Sequence, residues 1–420
     1  MEVKTPISYL RNGPLRSFTS QPFCMFWIAS FISQVSFSMM LLTRGWLILD
    51  MTNSPFLVTT VNAIAFIPGS LASPFTGVIA DRFDRKKILL VGETATFLTL
   101  LILAIIEIQN LTQVWHVFFL TTLNGIAFGL IMPTRPSLVP NLVGEKNVVN
   151  GMALYTMLIS ASLLFGPMLA GYVIDSFSIG IALLIGSLIL IPGFIFLLML
   201  NIPPRENNPN RTENKSFVKD LSEGATYVLA NPSMIGLLLI ALIASAFATP
   251  YLTLLPVIAR DVFNTGPNGL GMLGSGAGAG SLIGALMLAF LSNAKRIRRF
   301  LIIGAVAMGP ILTLFALSPI LILGVITIFF VGIIIQITLT SNITLVQMES
   351  HDYMRGRIMG IRYVLMTSGP VGMLLLGITA ELFGAPIALL LMSFMALLFA
   401  VLVIARFPKM RLQKEQTVKS

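Results

Sequence analysis

The stretch Gly77-Val-Ile-Ala-Asp81-Arg82-Phe-Asp84-Arg85-Lys86-Lys87 decides how the chain is read. Between Asp81 and Lys87 it carries six charges in seven residues, and long apolar runs flank it on both sides. A spanning helix takes roughly 20 apolar residues, and both flanks reach that length. Charge is costly in hydrocarbon, so this cluster is a tight loop at a membrane surface.

Composition extends that reading to the whole chain. Of 420 residues, 56% are hydrophobic and only 10% charged, and the mean hydropathy is +0.90. A soluble domain carries about 25% charged residues, so most of this surface must face lipid. Twelve apolar runs follow one another, the first over residues 22–49 and the last over residues 386–405. The fold class expected is an all-α polytopic membrane protein, with twelve transmembrane helices in two pseudo-symmetric six-helix halves. The expected parts are 1–200, 201–232 as a linker, and 233–420 with a basic tail.

The net charge of +10 raises nucleic acid as a partner, but its distribution argues otherwise. Lys and Arg cluster in every second interhelical loop, and only Arg44 and Arg260 break the pattern. That is the positive-inside pattern, with both termini cytoplasmic. The expected location is a plasma membrane, of the bacterial inner-membrane kind, and the expected partners are the lipid bilayer and a small-molecule substrate. No nucleic acid, cofactor or metal is expected: His116 and His351 lack metal-site spacing, and Cys24 stands alone. The first apolar run follows a polar, basic start with no cleavage site, so it reads as an uncleaved span.

The two halves repeat. Trp46–Asp50 aligns with Val257–Asp261, Arg85–Gly92 with Ile297–Gly304, and Gly171–Asp175 with Gly377–Glu381, all at offsets of 206 to 212 positions. In the second half Asn293 falls where Asp81 would be, and Ala289 where Gly77 would be. Between the halves, residues 201–231 form the one long polar stretch. Its first part reads as a tether. Its second part is either tether or surface helix, since Phe217, Leu221 and Val228 fall near one face.

The spacing Gly77-x-x-x-Asp81-Arg82-x-x-Arg85-Lys86 resembles the signature loop between helices 2 and 3 of the major facilitator superfamily. The form with Asp84 in place of a glycine resembles the efflux branch that includes macrolide and siderophore exporters. Internal symmetry of half-chain length is a property of that superfamily. The resemblance implies a gate: Asp81 at the end of helix 2 meets the positive N-terminus of helix 11, beside Arg355 and Arg357, with Arg82, Arg85 and Lys86 completing the network. The bland alternative is topological anchoring by positive charge. Gly166-Pro167-Met-Leu-Ala170-Gly171 resembles the end of a motif associated with antiporters. Antiporters of this kind often carry an arginine in helix 4, where this chain has Thr121, three residues before Asn124-Gly125.

Two charges fall inside apolar runs. Arg44 either binds an anionic or carbonyl-rich substrate or pairs with Asp50 or Asp175. Glu93 either carries a coupling proton or reaches Arg85 or Lys86 at the surface, which is the simpler expectation. Asp50, Asp175, Asp261 and Glu381 read as solvated ends of outer loops. Gln34, Ser38, Asn62, Asn124 and Gln336 are candidate pathway residues, or else interhelical hydrogen-bond partners. The glycine-rich run over residues 266–284 lacks the Lys-Ser/Thr of a phosphate loop. Gly276, Gly280 and Gly284 recur at the spacing of close helix packing.

These features imply a secondary transporter, not an enzyme: a monomer that exports small amphipathic compounds by alternating access, with the proton as coupling ion. Export of a siderophore or other anionic metabolite is the alternative, with Arg44 as its feature. A transport-inactive membrane sensor or scaffold is a further one.

Overall fold

The computed structural model describes residues 13, 15–82, 84–201, 217–289, 293–351 and 353–410, and the side chains of 70–82 are outside that description. We number the spanning helices α1 (Gln21–Thr52), α2 (Pro55–Arg82), α3 (Arg85–Ile108), α4 (Val114–Val143), α5 (Val148–Ser176) and α6 (Ile179–Met199). The second set is α7 (Pro232–Val262), α8 (Pro267–Ala289), α9 (Ala294–Ala316), α10 (Leu321–Glu349), α11 (Arg355–Phe383) and α12 (Ala385–Arg406). Eleven are long and apolar enough to cross a membrane among the described residues, and α2 completes the set. The second part of the polar stretch is a helix, Phe217–Leu229, which settles the choice left open for it. Residues 202–216, expected to be a tether, lie outside the described residues.

Apolar side chains point outward as well as inward. On α3, Val91, Leu98, Ile102, Ile105 and Ile108 are exposed, a surface suited to lipid and not to water. With hydrocarbon outside, helix association depends on close packing more than on apolar burial. Glycine supplies the closeness. Gly276, Gly280 and Gly284 of α8 lie against Val325, Phe329 and Ile333 of α10, while Gly271, Gly274 and Gly278 of the same helix lie against Gly171, Pro167 and Leu163 of α5. A β-carbon at Gly284 would come within 2.7 Å of the Ile333 carbonyl oxygen.

Among the described residues, the turns rich in Arg and Lys before α3 and α9 lie at one end of the bundle, here the basic end. At the far end, turns at Asn53 (φ 53°) and Asn264 (φ 49°) occupy the left-handed region, which asparagine tolerates better than most residues. They are 211 positions apart, inside the range of repeat offsets read from the sequence.

The basic end repeats as well. Lys86 Nζ donates to the Leu198 carbonyl (2.7 Å) at the end of α6, and Arg298 Nη1 donates to the Met410 carbonyl (2.5 Å) beyond α12. Arg85 donates to the Ser137 carbonyl on α4 (2.8 Å), and Arg298 forms an ion pair with Glu349 on α10 at 2.6 Å. Positions 86, 198 and 137 become 298, 410 and 349 on adding 212. One arginine in the second half thus does the work of two cations in the first. Asn293 caps α9 through the Lys295 amide (2.8 Å), as Asp84 caps α3 through the Lys86 amide (2.7 Å). The cap at the start of the helix is thus kept in both halves, although Asn293 stands 212 positions after Asp81 and not after Asp84.

The acidic residues of the far end are not simply solvated. Glu381 accepts from the Ser54 hydroxyl (2.8 Å) and the Phe56 amide (3.0 Å), so it caps α2 from the other half. Asp175 accepts from Asn268 (2.5 Å), and Arg260 joins Asp261 to Asn53 (2.8 Å) and the Leu49 carbonyl (3.2 Å). Helix ends leave unpaired backbone groups, and Glu381 and Arg260 serve such groups across the halves.

Arg298→Met should lower the melting temperature of the detergent-purified protein more than Lys86→Met. It leaves the Glu349 carboxylate unpaired and removes a charged hydrogen bond, each such bond being worth about 1.5–3 kcal/mol. Equal shifts for the two variants would contradict the shared role of Arg298.

Candidate transport site

Glu93 lies eight residues into α3 and Arg135 eight residues before the end of α4. The two helices run antiparallel, so both charges reach the same depth and meet as an ion pair, each about 97% buried. Gly92 opens the space beside them, since a β-carbon there would lie 2.6 Å from Ile131 Cγ1. The Ser33 hydroxyl of α1 approaches Glu93 Oε1 at 2.9 Å. The expected surface contact of Glu93 with Arg85 or Lys86 is thus corrected: those cations are engaged by carbonyls at the basic end. Arg135 is not among the charges that the sequence places inside an apolar run. Matching depths on antiparallel neighbours was the signal that would have found it.

A small cavity of about 20 Å³ adjoins the pair, lined by Glu93, Arg135, Gln34, Phe37, Asn124 and Phe128. Phe37 stacks on Phe128 at 4.3 Å, and Phe66 of α2 meets both rings edge-on. The lining is therefore mixed, with Phe37 and Phe128 beside polar Gln34, Thr96 and Asn124.

Arg44 lies toward the far end of that region. Its Nη2 donates to Asn124 Oδ1 at 3.1 Å, and the guanidinium is 96% buried. Neither expected carboxylate pairs with it among the described ion pairs: Asp175 accepts from Asn268, and Asp50 is exposed. Arg44 Nε, Asn124 Nδ2 and Thr121 Oγ1 are buried without hydrogen-bond partners.

The Gly166, Pro167 and Gly171 segment has a different role, at the seam between the halves. Proline lacks an N–H, which frees the carbonyl four residues back, here that of Leu163. Gly278 packs against that carbonyl. Neighbouring carbonyls are used too: Ser38 donates to Ser162 (2.7 Å) and Ser275 to Leu164 (3.0 Å). A second small cavity, of about 30 Å³, opens here between α1, α5, α7 and α8, with Ser38, Leu42, Pro167, Tyr251 and Leu255 in its walls.

Of the candidate pathway residues, Gln34 and Asn124 face the first cavity and Ser38 the second. Asn62 instead donates to its own helix at Val58 (3.2 Å), and Gln336 to Thr340 (2.9 Å). At the expected gate, the side chains of Gly77, Asp81 and Arg82 lie outside the described residues. Arg355 donates to the Gln347 carbonyl (3.3 Å), and Arg357 pairs with Glu223 of the linker helix (2.5 Å). Sequence reasoning also missed Arg362, which is 92% buried and donates to Asn342 (3.1 Å).

Removing one partner of a buried pair costs about 3–5 kcal/mol, because the other charge is left uncompensated. Glu93→Gln should therefore destabilise the protein by about that amount, and the double variant Glu93→Gln, Arg135→Gln should recover most of it. Thermal unfolding in detergent reads both; additive losses would contradict the pairing.

The family described as transmembrane secretion effector matches residues 12–420. Macrolide efflux protein A of Streptococcus pyogenes is 23% identical, over 71% of this chain and 73% of that protein. The staphyloferrin A transporter of Staphylococcus aureus is 22% identical over 87% and 89%. The enterobactin exporter EntS of Salmonella typhi is 27% identical over 88% of each. Among solved structures, the nucleoside transporter NupG superposes with a TM-score of 0.72 at 17% identity, covering 92% of this chain and 99% of that one. A bacterial homologue of the lysosomal transporter Spinster does so with a TM-score of 0.71 at 13% identity, covering 95% and 99%. The chain belongs to the transmembrane secretion effector family of the major facilitator superfamily.

Proposed function

We propose that this protein exports small amphipathic compounds by alternating access and draws on the proton gradient. The observation that carries the reading is the Glu93–Arg135 pair, two charges held at membrane depth beside a cavity that Phe37 and Phe128 also line. Ionisable groups inside a membrane are costly and mark substrate and proton pathways. Protonation of Glu93 would release Arg135 and loosen α3 from α4, which ties a proton to a change of packing. Export is supported by the relatives, named for macrolide efflux and for siderophore export. No enzyme chemistry is part of this reading.

The basic end is assigned to the cytoplasm by the positive-inside rule, in a bacterial inner membrane, with the chain acting as a monomer. The moving bodies are residues 1–200 and 233–420, joined by the linker 201–232. Under that assignment, Glu381, Arg260 and Asn268 hold the outer ends of the halves together, the arrangement of a state closed to the outside. Asp81 with Arg355 and Arg357 is the proposed latch of the opposite state. The second reading is export of an anionic metabolite, favoured by the unpaired Arg44.

Dye efflux from energised cells lacking their own pumps tests this. Wild type should clear dye and lose that ability with a protonophore, while Asp81→Asn and Glu93→Gln should fall near empty vector. Efflux by wild type that ignores the protonophore would remove the proton from the mechanism. Vector-level efflux across a broad amphipathic panel would remove the multidrug reading.

A further inference from the structure

Arg44 and Arg135 border the same polar region of the first half, yet they stand in opposite electrostatic conditions. Arg135 is neutralised by Glu93. Arg44 is as deeply buried and has only the neutral Asn124 as a described partner. The three groups Arg44, Glu93 and Arg135 therefore sum to one uncompensated positive charge. A buried charge without a partner is expensive, and so is each buried polar atom without a hydrogen bond. Three such atoms are Arg44 Nε on α1, Asn124 Nδ2, whose side chain meets Arg44, and Thr121 Oγ1, one turn before Asn124 on α4. All three can donate. Thr121 and Asn124 are three residues apart on α4, hence on one face, and Asn124 also lines the first cavity.

A cluster of unused donors around an uncompensated cation is complementary to an anion with several acceptor oxygens. We propose that Arg44, Asn124 and Thr121 form a subsite for an anionic group of the cargo, of carboxylate type. A carboxylate offers two oxygens that meet a guanidinium edge in the charge-assisted geometry arginine favours. The apolar body of the same molecule would lie on Phe37 and Phe128 across the cavity. The subsite thus narrows the exporter's cargo from amphipathic compounds in general to amphipathic anions. It rests on the exporter reading for its role in transport, but not for binding.

Binding to the purified full-length protein separates the two. Pyrenebutyrate and its amide share one fluorescent apolar body and differ in charge, so anisotropy titrations with each give an acid-to-amide preference. Wild type should bind the acid about tenfold more tightly than the amide. Arg44→Gln should erase that ratio, and Arg44→Lys should restore part of it. Equal binding of acid and amide by wild type would overturn the proposal with no variant needed. An unchanged ratio in a folded Arg44→Gln protein would overturn it too. Loss of the wild-type preference in saturating chloride would assign the subsite to an inorganic anion and overturn its role in cargo binding. Failure of dye efflux alongside a retained acid preference would count against the exporter reading and leave the subsite standing.

Discussion

Direct contact between helix backbones is the constraint on which the other features depend. α8 has no side chains to spare on two of its faces, because Gly271, Gly274 and Gly278 meet α5 while Gly276, Gly280 and Gly284 meet α10. It belongs to the second half by sequence and is wedged against the first by packing. In lipid, such closeness replaces the apolar driving force of a soluble core. It also fixes what can sit at the seam. Pro167 frees a carbonyl, and only a glycine opposite it lets the two helices approach; the second cavity forms where that packing stops.

The duplication preserves the scaffold and not the chemistry. Cation-to-carbonyl clasps recur at Lys86 and Arg298, as do left-handed asparagines at Asn53 and Asn264. Ala305 and Gln347 stand at the positions, 212 residues on, that correspond to Glu93 and Arg135. The intramembrane ion pair therefore has no counterpart across the pseudo-symmetry. Ends of helices face the same unsatisfied backbone in both halves, so their solutions repeat. The interior polar groups answer to something that is present once.

Much of this was legible in the chain itself. Run length and charge clustering give the helices, and four-residue glycine spacing on α8 gives its close packing, because both follow from local periodicity. The partner of Glu93 was not legible from spacing within one helix. Its reach toward Arg85 or Lys86 looked natural along a single strand of sequence, and only the antiparallel neighbour supplies Arg135 at equal depth. The cap that Glu381 places on α2 was hidden for the same reason: it spans 325 residues. Local pattern reports an element and its faces. It does not report which distant element covers them.

Two stretches of α7, Ala244–Ala248 and Ile258–Val262, are wound as π-helix. The first meets α11 where that helix breaks at Thr367, through Ser245 Oγ to the Met366 carbonyl (2.9 Å). A π turn holds one residue more than an α turn, so everything beyond it is rotated by about 100° relative to an uninterrupted helix. Tyr251 and Leu255, which line the second cavity, lie just past the first of these turns. Their direction is therefore set by the residue count of the preceding segment as much as by their own identity. Loss of a single residue between 244 and 248 would leave α7 as apolar and as long-reaching as before, yet present a different face to the cavity. Along this helix, a change in length is a change in which side chains line the seam between the halves.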